Sequence, residues 1–109
     1  MTMSNLCPKY EAAFQLLGRR WIGLIIKVLF DGPMRFKMIS EQIPMISEKV
    51  LADRLKLLEK HGIIRRNVYA ETPVRIEYEL TEKGMALKSV MAEVQSWANQ
   101  WMDCPVDEQ

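Results

Sequence analysis

Two cysteines and one histidine are the side chains of this sequence best suited to nucleophilic or metal-binding chemistry. Cys7 stands directly before Pro8, a residue suited to the first position of a helix. If a helix begins there, the Cys7 sulfur lies beside backbone N–H groups at the positive end of the helix dipole. That setting favours the thiolate, the form that attacks oxidants and quinones. Two interpretations stay open: a redox-sensing thiol, or an inert thiol that caps or packs.

Cys104 lies in a different setting, past the last predicted helix and near Asp103, Asp107 and Glu108. Negative neighbours disfavour a thiolate, so we expect Cys104 to be a poor first nucleophile. It can still resolve an oxidised Cys7, across a dimer if the terminal helices pair there. A spectator role in a flexible tail is the alternative.

The sequence predicts neither a catalytic site nor a metal site. His61 precedes Gly62 at a predicted helix end, where a histidine commonly interacts with the last carbonyl groups. A thiol hydrolase needs an orienting group and an oxyanion site, and neither has a signature here. There is no Cys-x-x-Cys pair, and two cysteines with one distant histidine offer a metal few ligands. We therefore expect no enzyme activity and no cofactor.

With 109 residues, of which 49% are hydrophobic and 27% charged, the chain has the size and composition of one globular domain. We expect a single domain over 1–109, with a core over 7–102 and a flexible acidic tail over 103–109. No segment approaches the run of about 18 apolar residues that a membrane span needs, and the sequence does not open like a secretion signal. A cytoplasmic location is expected.

Charge is distributed unevenly, although the net charge is only +1. The segment 19–66 carries eleven Lys and Arg against five Asp and Glu, whereas the rest of the chain carries four against nine. This segregation suits a chain that presents one face to a polyanion. Chance segregation on solvated faces is the alternative.

Hydrophobic spacing and caps predict the elements that position these residues. In order, they are helices over 8–17, 21–29, 37–43 and 48–61, strands over 64–69 and 75–80, and a last helix capped by Thr81. The apolar stripe of the second helix is predicted to comprise Trp21, Leu24, Ile25, Val28 and Leu29. A short helix, a three-residue turn, a longer helix and a hairpin form a winged helix-turn-helix, a mainly α fold with a small β-hairpin.

In that fold the longer helix of the pair enters the major groove of DNA. On or beside the face that its leucines leave free lie Ser47, Lys49, Asp53, Arg54 and Lys56. Arg54 can pair with a guanine, and Asp53 can accept from a cytosine or orient Arg54. Ser47 and Lys56 suit phosphate contacts. For any single residue, a solvated helix face is the alternative.

Further phosphate contacts are expected on both sides of that helix. Arg35 and Lys37 stand at the start of the preceding helix, where phosphate anchoring is favourable. Glu77 and Glu79 would repel phosphate, so the hairpin is expected to touch DNA only near its tip, through Arg75.

The terminal helices predict a homodimer. Along the last helix, Leu87, Val90, Val94, Trp97 and Trp101 have the alternating spacing of a seam that packs against another helix. Two half-sites held at a fixed spacing would supply the specificity that one unit lacks. The predicted interface comprises Tyr10, Phe14, Leu17, Val94, Trp97 and Trp101. Alternatively, the two tryptophans cover the core of their own chain.

Several segments resemble those of the HxlR-type transcriptional regulators, which are bacterial winged-helix proteins related to the MarR regulators. They are CPKYEAAFQLLGRRW, DGPMRF, IPMISEKVLADRLKLLEKHGIIRR and ETPVRIEYELTEKG, followed by the tryptophan-containing helix. The resemblance runs from Cys7 to Trp101 in the order and spacing of the family. It implies a dimeric regulator of palindrome-like DNA operators, with the dimer made by the N- and C-terminal helices.

The resemblance also implies site residues. It places Ser47, Lys49 and Arg54 on the recognition helix and Arg75 on the wing. Family members commonly hold a cysteine where Cys7 stands, and several are sensors of oxidants or electrophiles, including repressors of quinone-detoxifying genes. The sequence looks most like that subgroup. The resulting hypothesis is a repressor that releases its operator when Cys7 is oxidised or alkylated, and the alternative is a DNA-binding or protein-interaction module without a thiol switch.

Overall fold

The structure is a computed structural model, and it describes residues 7–104. This part of the chain forms six helices and one two-stranded antiparallel sheet. Its elements are, in order, α1 (Pro8–Leu17), α2 (Ile22–Leu29), α3 (Phe36–Gln42), α4 (Glu48–Lys60), β1 (Ile64–Tyr69), β2 (Arg75–Leu80), α5 (Glu82–Met85) and α6 (Leu87–Trp101). The predicted fold class, mainly α with a small hairpin in winged helix-turn-helix order, is confirmed.

Local sequence signals begin and end the helices where they were expected. Pro8 is the first residue of α1, Cys7 is its N-cap and Gly18 is its C-cap. The Ser47 hydroxyl accepts a hydrogen bond from the Val50 backbone N–H at 3.1 Å and so caps α4. Such a cap satisfies one of the N–H groups that a helix start leaves without a partner.

The core is built mainly from isoleucine and leucine on α2, α3, α4 and the base of the hairpin. From α2 the buried residues are Ile22, Ile25, Ile26 and Leu29. The predicted stripe was therefore partly wrong, because Leu24 is 51% exposed and Trp21 precedes the helix with a left-handed φ of 79°. Because α2 packs between α3, α6 and the hairpin, it buries residues on several sides. Leu24 lies on the side that faces α6.

The hairpin has the predicted bounds, and its register runs from Ile64 opposite Leu80 to Tyr69 opposite Arg75. A further pairing was not predicted. Met34, just before α3, exchanges two backbone hydrogen bonds with Tyr78 of β2, at 2.9 and 2.8 Å. These bonds fix the hairpin against the helix pair.

The last helix is divided where the chain passes close to β1. Thr81 caps the short α5 by accepting a hydrogen bond from the Gly84 N–H. The next helix, α6, begins at Leu87, two residues after α5 ends at Met85. A Cβ atom at Gly84 would collide with the carbonyl oxygen of Ile63, so glycine permits this approach. The Lys83 ammonium also donates to the His61 carbonyl at 2.6 Å, at the C-terminus of α4.

Neither α1 nor α6, both fully described, contains a buried residue. The chain continues from α6 through Asp103 and Cys104, and residues 105–109 of the predicted acidic tail lie outside the described residues. Over 7–104, the helices are too short or too polar to span a membrane.

Candidate nucleic-acid interface and thiol site

The recognition helix, α4, has a buried face and a charged face. Leu51, Leu55 and Leu58 are almost fully buried, and they hold the helix on the core. Lys49, Asp53 and Lys56, which were predicted to face DNA, are exposed, and so is the capping residue Ser47. Residues three and four positions apart share a helix face, so this division follows from the leucine spacing.

Arg54, the predicted guanine contact, is less exposed than the lysines of the same helix. Its Nε donates to the backbone carbonyl of Arg20 at 3.0 Å, and its Nη1 donates to Asp53 at 2.6 Å. Only 18% of the side chain is exposed. Base reading by Arg54 stays a prediction, because two of its five N–H donors are used inside the protein and the side chain is largely covered. The bond joins Asp53 to Arg54, and the predicted roles of Asp53 at DNA, to accept from a cytosine or to orient Arg54, stay predictions.

A weak electrostatic interaction connects the start of α3 with the turn of the hairpin. Arg35 is the exposed N-cap of α3, and Lys37 is exposed one residue into the helix. The positive charge of Arg35 helps to lower the pKa of Glu71 in the hairpin turn. The two places predicted to anchor phosphate are therefore within electrostatic reach of each other.

Arg75 is the centre of a charged network in the wing, the hairpin over 64–80. Its guanidinium donates to Glu71 at 2.9 Å and to Glu77 at 2.7 Å, and it lies over the ring of Tyr69. The hydrogen bond from Arg75 is the main cause of the lowered pKa of Glu71, and these carboxylates raise the pKa of Arg75. Only 26% of the Arg75 side chain is exposed. Phosphate binding by Arg75 stays a prediction, because its donors already serve the wing.

Two arginines that were not predicted as site residues are exposed on β1. Arg65 donates to Glu79 at 3.1 Å, and Asn67 donates to the same carboxylate at 2.9 Å. The hydrogen bond from Asn67, followed by that from Arg65, lowers the pKa of Glu79. Arg66 is exposed on the opposite face of the strand. The signal was present in the sequence, because an arginine that interrupts the apolar side of a strand has to face a polar surface.

Cys7 is exposed at the start of α1, and its side chain makes no capping hydrogen bond to the described helix. Directly after it, Tyr10 and Phe14 form an edge-to-face aromatic pair with ring centroids 5.0 Å apart. Both rings are more than half exposed, at 61% and 57%. Cys104, just past the end of α6, is exposed as well. Reagents in solution can therefore reach either thiol.

The predicted dimer residues are exposed, with one exception. Val94, Trp97 and Trp101 on α6 are 56%, 58% and 66% exposed. They do not cover the core of their own chain, so that alternative is wrong for this structure. The exception is Leu17, which is partly buried against the core of its own chain.

A groove of about 540 Å³ separates α2 from α6. Its apolar lining includes Trp21, Leu24, Phe30, Met91 and Val94, and the Lys27 ammonium bridges it by donating to Gln95 at 3.0 Å. Within residues 7–104, the acidic, histidine and cysteine side chains form no cluster of three or more that could hold a metal ion.

A capped recognition helix with an exposed basic face, a short helix before it and a wing fixed beside both define a winged helix-turn-helix DNA-binding protein. The model of the HxlR-like helix-turn-helix family matches residues 16–105. The chain belongs to this family of transcriptional regulators.

Similar proteins include a transcriptional regulator solved in reduced, diamide-treated and quinone-bound forms and a redox regulator. The HTH-type transcriptional regulator YodB of Bacillus subtilis (strain 168) is 59% identical over 100 residues, which cover 92% of this chain and 89% of YodB. The reduced form of YodB superposes with a TM-score of 0.83 at 60% identity, covering 90% of this chain and 96% of that one. Diamide-treated and quinone-bound YodB give TM-scores of 0.78 and 0.79. The redox regulator HypR in its oxidised form gives 0.82 at 32% identity, covering 90% of this chain and all of HypR.

Proposed function

We propose that this protein is a homodimeric repressor that binds a palindrome-like DNA operator and releases it when an oxidant or quinone modifies Cys7. The observation that carries the proposal is the exposed Cys7 at the start of α1, one turn before the exposed aromatic pair. The existence of diamide-treated and quinone-bound forms of YodB supports the choice of effector. A covalent change at the first residue of an interface helix would alter how two protomers meet.

The DNA interface consists of α4 and the residues on either side of it. Lys49 and Lys56 extend from the exposed face of the recognition helix, and Arg35 and Lys37 stand at the start of α3. Their charges release counterions from the phosphate backbone, so affinity falls steeply with salt. Asp53 remains exposed enough to accept from a cytosine. Arg54 and Arg75 contact DNA only where their internal hydrogen bonds are exchanged for contacts with bases or phosphate.

The dimer forms through α1 and α6. Their exposed faces carry Tyr10 and Phe14 on one helix and Val94, Trp97 and Trp101 on the other. Large aromatic side chains dominate the energetics of protein interfaces, and a contiguous apolar face of this kind indicates a partner. Leu17 supports the interface indirectly, because it packs the end of α1 against the core of its own chain.

Two reactions at Cys7 fit the exposed thiol. In the first, the thiolate sulfur adds to a ring carbon of a quinone, and a C–S bond forms as the ring C=C bond opens. The thiol proton ends on one former carbonyl oxygen and the hydrogen of the attacked carbon on the other, which leaves a sulfur-substituted hydroquinone. In the second, two thiols lose two electrons and two protons to an azo reagent such as diamide, and an S–S bond forms. The second thiol is Cys104 of the other protomer, which can reach Cys7 if the terminal helices pair.

The deciding experiment measures DNA binding by the reduced, quinone-treated and diamide-treated protein. The probe is a duplex selected from a random library with reduced wild-type protein, and the variants are Cys7→Ser and Cys104→Ser. Wild type is expected to lose about tenfold or more in affinity after either treatment, within the usual range of allosteric coupling. Cys7→Ser is expected to keep its affinity, and Cys104→Ser to respond to the quinone but not to diamide.

Equal release by wild type and Cys7→Ser would show that Cys7 is not the sensor. Undiminished binding by modified wild type would favour the alternative of a DNA-binding protein without a thiol switch. Mass spectrometry under non-reducing conditions identifies the product in each arm as an adduct or a disulfide-linked dimer.

A further inference from the structure

The turn between α1 and α2 is joined to the recognition helix by Arg54. The Nε of Arg54 donates to the Arg20 carbonyl across 34 positions of sequence, and Asp53 holds the other side of the guanidinium. The side chain is largely covered, so it lies between the turn and α4 instead of extending from the recognition helix. A side chain placed in this way links two segments of the protein, whereas a base-reading side chain extends into solvent.

The turn itself is strained and tightly held. Trp21 has a φ of 79°, a left-handed conformation that costs energy for any residue with a bulky side chain. The Arg20 guanidinium lies 4.5 Å from the centroid of the Trp21 ring. Gly18 allows the close turn at the end of α1, because a Cβ there would lie 2.7 Å from the Phe14 carbonyl oxygen. Strained backbone of this kind persists only where its surroundings fix it.

The two helices that flank the turn are packed into the core to different extents. α2 has four buried residues, whereas α1 has none over Pro8–Leu17. Only Leu16 and Leu17, at the end of α1, are partly buried against the core, so a displacement of the first turns of α1 reaches the rest of the chain at that end, next to the turn. Because the Arg20 carbonyl lies in that turn, the hydrogen bond from Arg54 carries the displacement to α4.

We propose that Arg54 is a positioning residue, which sets the orientation of the recognition helix relative to α1 through the Arg20 carbonyl. It thereby connects modification of Cys7 to DNA binding. The inference rests on the proposed function, because the thiol reaction supplies the displacement that Arg54 transmits.

The test uses the reciprocity of coupled sites: if modification of Cys7 weakens DNA binding, bound DNA must disfavour the modified state. We would measure the equilibrium constant for mixed-disulfide formation between Cys7 and glutathione, in buffers of reduced and oxidised glutathione and in a Cys104→Ser background, with and without a saturating library-selected duplex. For the otherwise wild-type protein, DNA is expected to lower this constant by about fivefold or more. The ratio of the two equilibrium constants is independent of affinity once the DNA is saturating.

Arg54→Met keeps the aliphatic stem and removes every N–H donor. It is expected to bring the ratio within about twofold of one, while Arg54→Lys, which retains a charged donor, restores part of it. Lys56→Met is the matched control on the exposed face of α4; it lowers affinity but keeps the wild-type ratio at saturation. If Arg54→Met does not fold, Arg54→Gln replaces it in the same measurement.

An unchanged ratio in the folded Arg54 variant would overturn the inference while leaving the thiol switch intact. Relaxed preference at a single base pair, together with that unchanged ratio, would identify Arg54 as a base reader. A ratio of one for the wild-type side chain at position 54, with no release of DNA after Cys7 forms the mixed disulfide, would overturn both the switch and its transmission.

Discussion

The Arg75 guanidinium carbon lies 3.9 Å from the centroid of the Tyr69 ring, at the end of the hairpin where the two residues pair across the strands. The same guanidinium bonds Glu71 and Glu77. A single arginine thus joins both strands and the turn of the wing. Its position makes the wing rigid, and it leaves the exposed Arg66 as the more accessible cation of the hairpin.

This difference between the two arginines predicts different salt dependences. Arg66→Ala is expected to reduce the slope of log affinity against log salt by about one, as the loss of one phosphate contact does. Arg75→Ala is expected to weaken binding with little change of slope, because it disorders the wing instead of removing a contact. Fluorescence anisotropy over a salt series measures both, and a reduced slope for Arg75→Ala would instead place Arg75 on phosphate.

Stability should fall in acid partly through Glu79. Hydrogen bonds from Asn67 and Arg65 lower the pKa of this carboxyl in the folded state. A lowered pKa contributes stability above the pKa of the unfolded chain, and that contribution is lost as the pH falls through the folded value. Between roughly pH 5 and pH 3, the free energy of unfolding should therefore fall less steeply for Glu79→Gln than for wild type.

Urea unfolding at a series of pH values provides the measurement. Glu93→Gln, at an exposed position on α6, is the control and should follow the wild-type slope. Identical slopes for Glu79→Gln and wild type would mean that these hydrogen bonds do not distinguish the folded from the unfolded state.

Substitution of Gly84 should be more harmful than substitution of Gly23. A methyl group at Gly84 would meet the Ile63 carbonyl oxygen and the Leu80 side chain, so Gly84→Ala is expected to cost about 1–3 kcal/mol of unfolding free energy. At Gly23, within α2, a methyl group would have nothing within 4 Å. Gly23→Ala should leave stability unchanged or raise it by up to about 1 kcal/mol. Thermal unfolding of both variants tests the order, and equal effects would contradict the close approach at Gly84.

The proposed dimer predicts a change of oligomeric state on α6. Replacing Trp97 and Trp101 together with alanine removes the largest exposed apolar side chains of that helix, so the protein is expected to become monomeric at micromolar concentration. Sedimentation velocity measures the mass, and Ser96→Ala, an exposed polar position on the same helix, is the control. A double variant that remains dimeric would place the interface elsewhere, and a wild-type protein that is monomeric would contradict the proposed dimer.

The sequence by itself determined the order of the elements and most of their bounds, although not the division of the last helix into α5 and α6. Pro8, Ser47 and Thr81 mark helix starts through local backbone chemistry, and the leucine spacing of α4 requires one buried face, so neither inference needs distant contacts. The bounds of both strands also followed from local alternation and turn residues. The exposed lysines of the recognition helix could be predicted for the same reason.

Only the tertiary structure decided how the arginines are used. Arg54 and Arg75 have the composition and spacing of DNA contacts, but their donors bond Arg20, Asp53, Glu71 and Glu77. Such bonds depend on which segments meet in space, and a flexible, five-donor side chain can serve either purpose. The left-handed Trp21 escaped prediction for a related reason: the surroundings that stabilise a strained residue are brought together only by the fold.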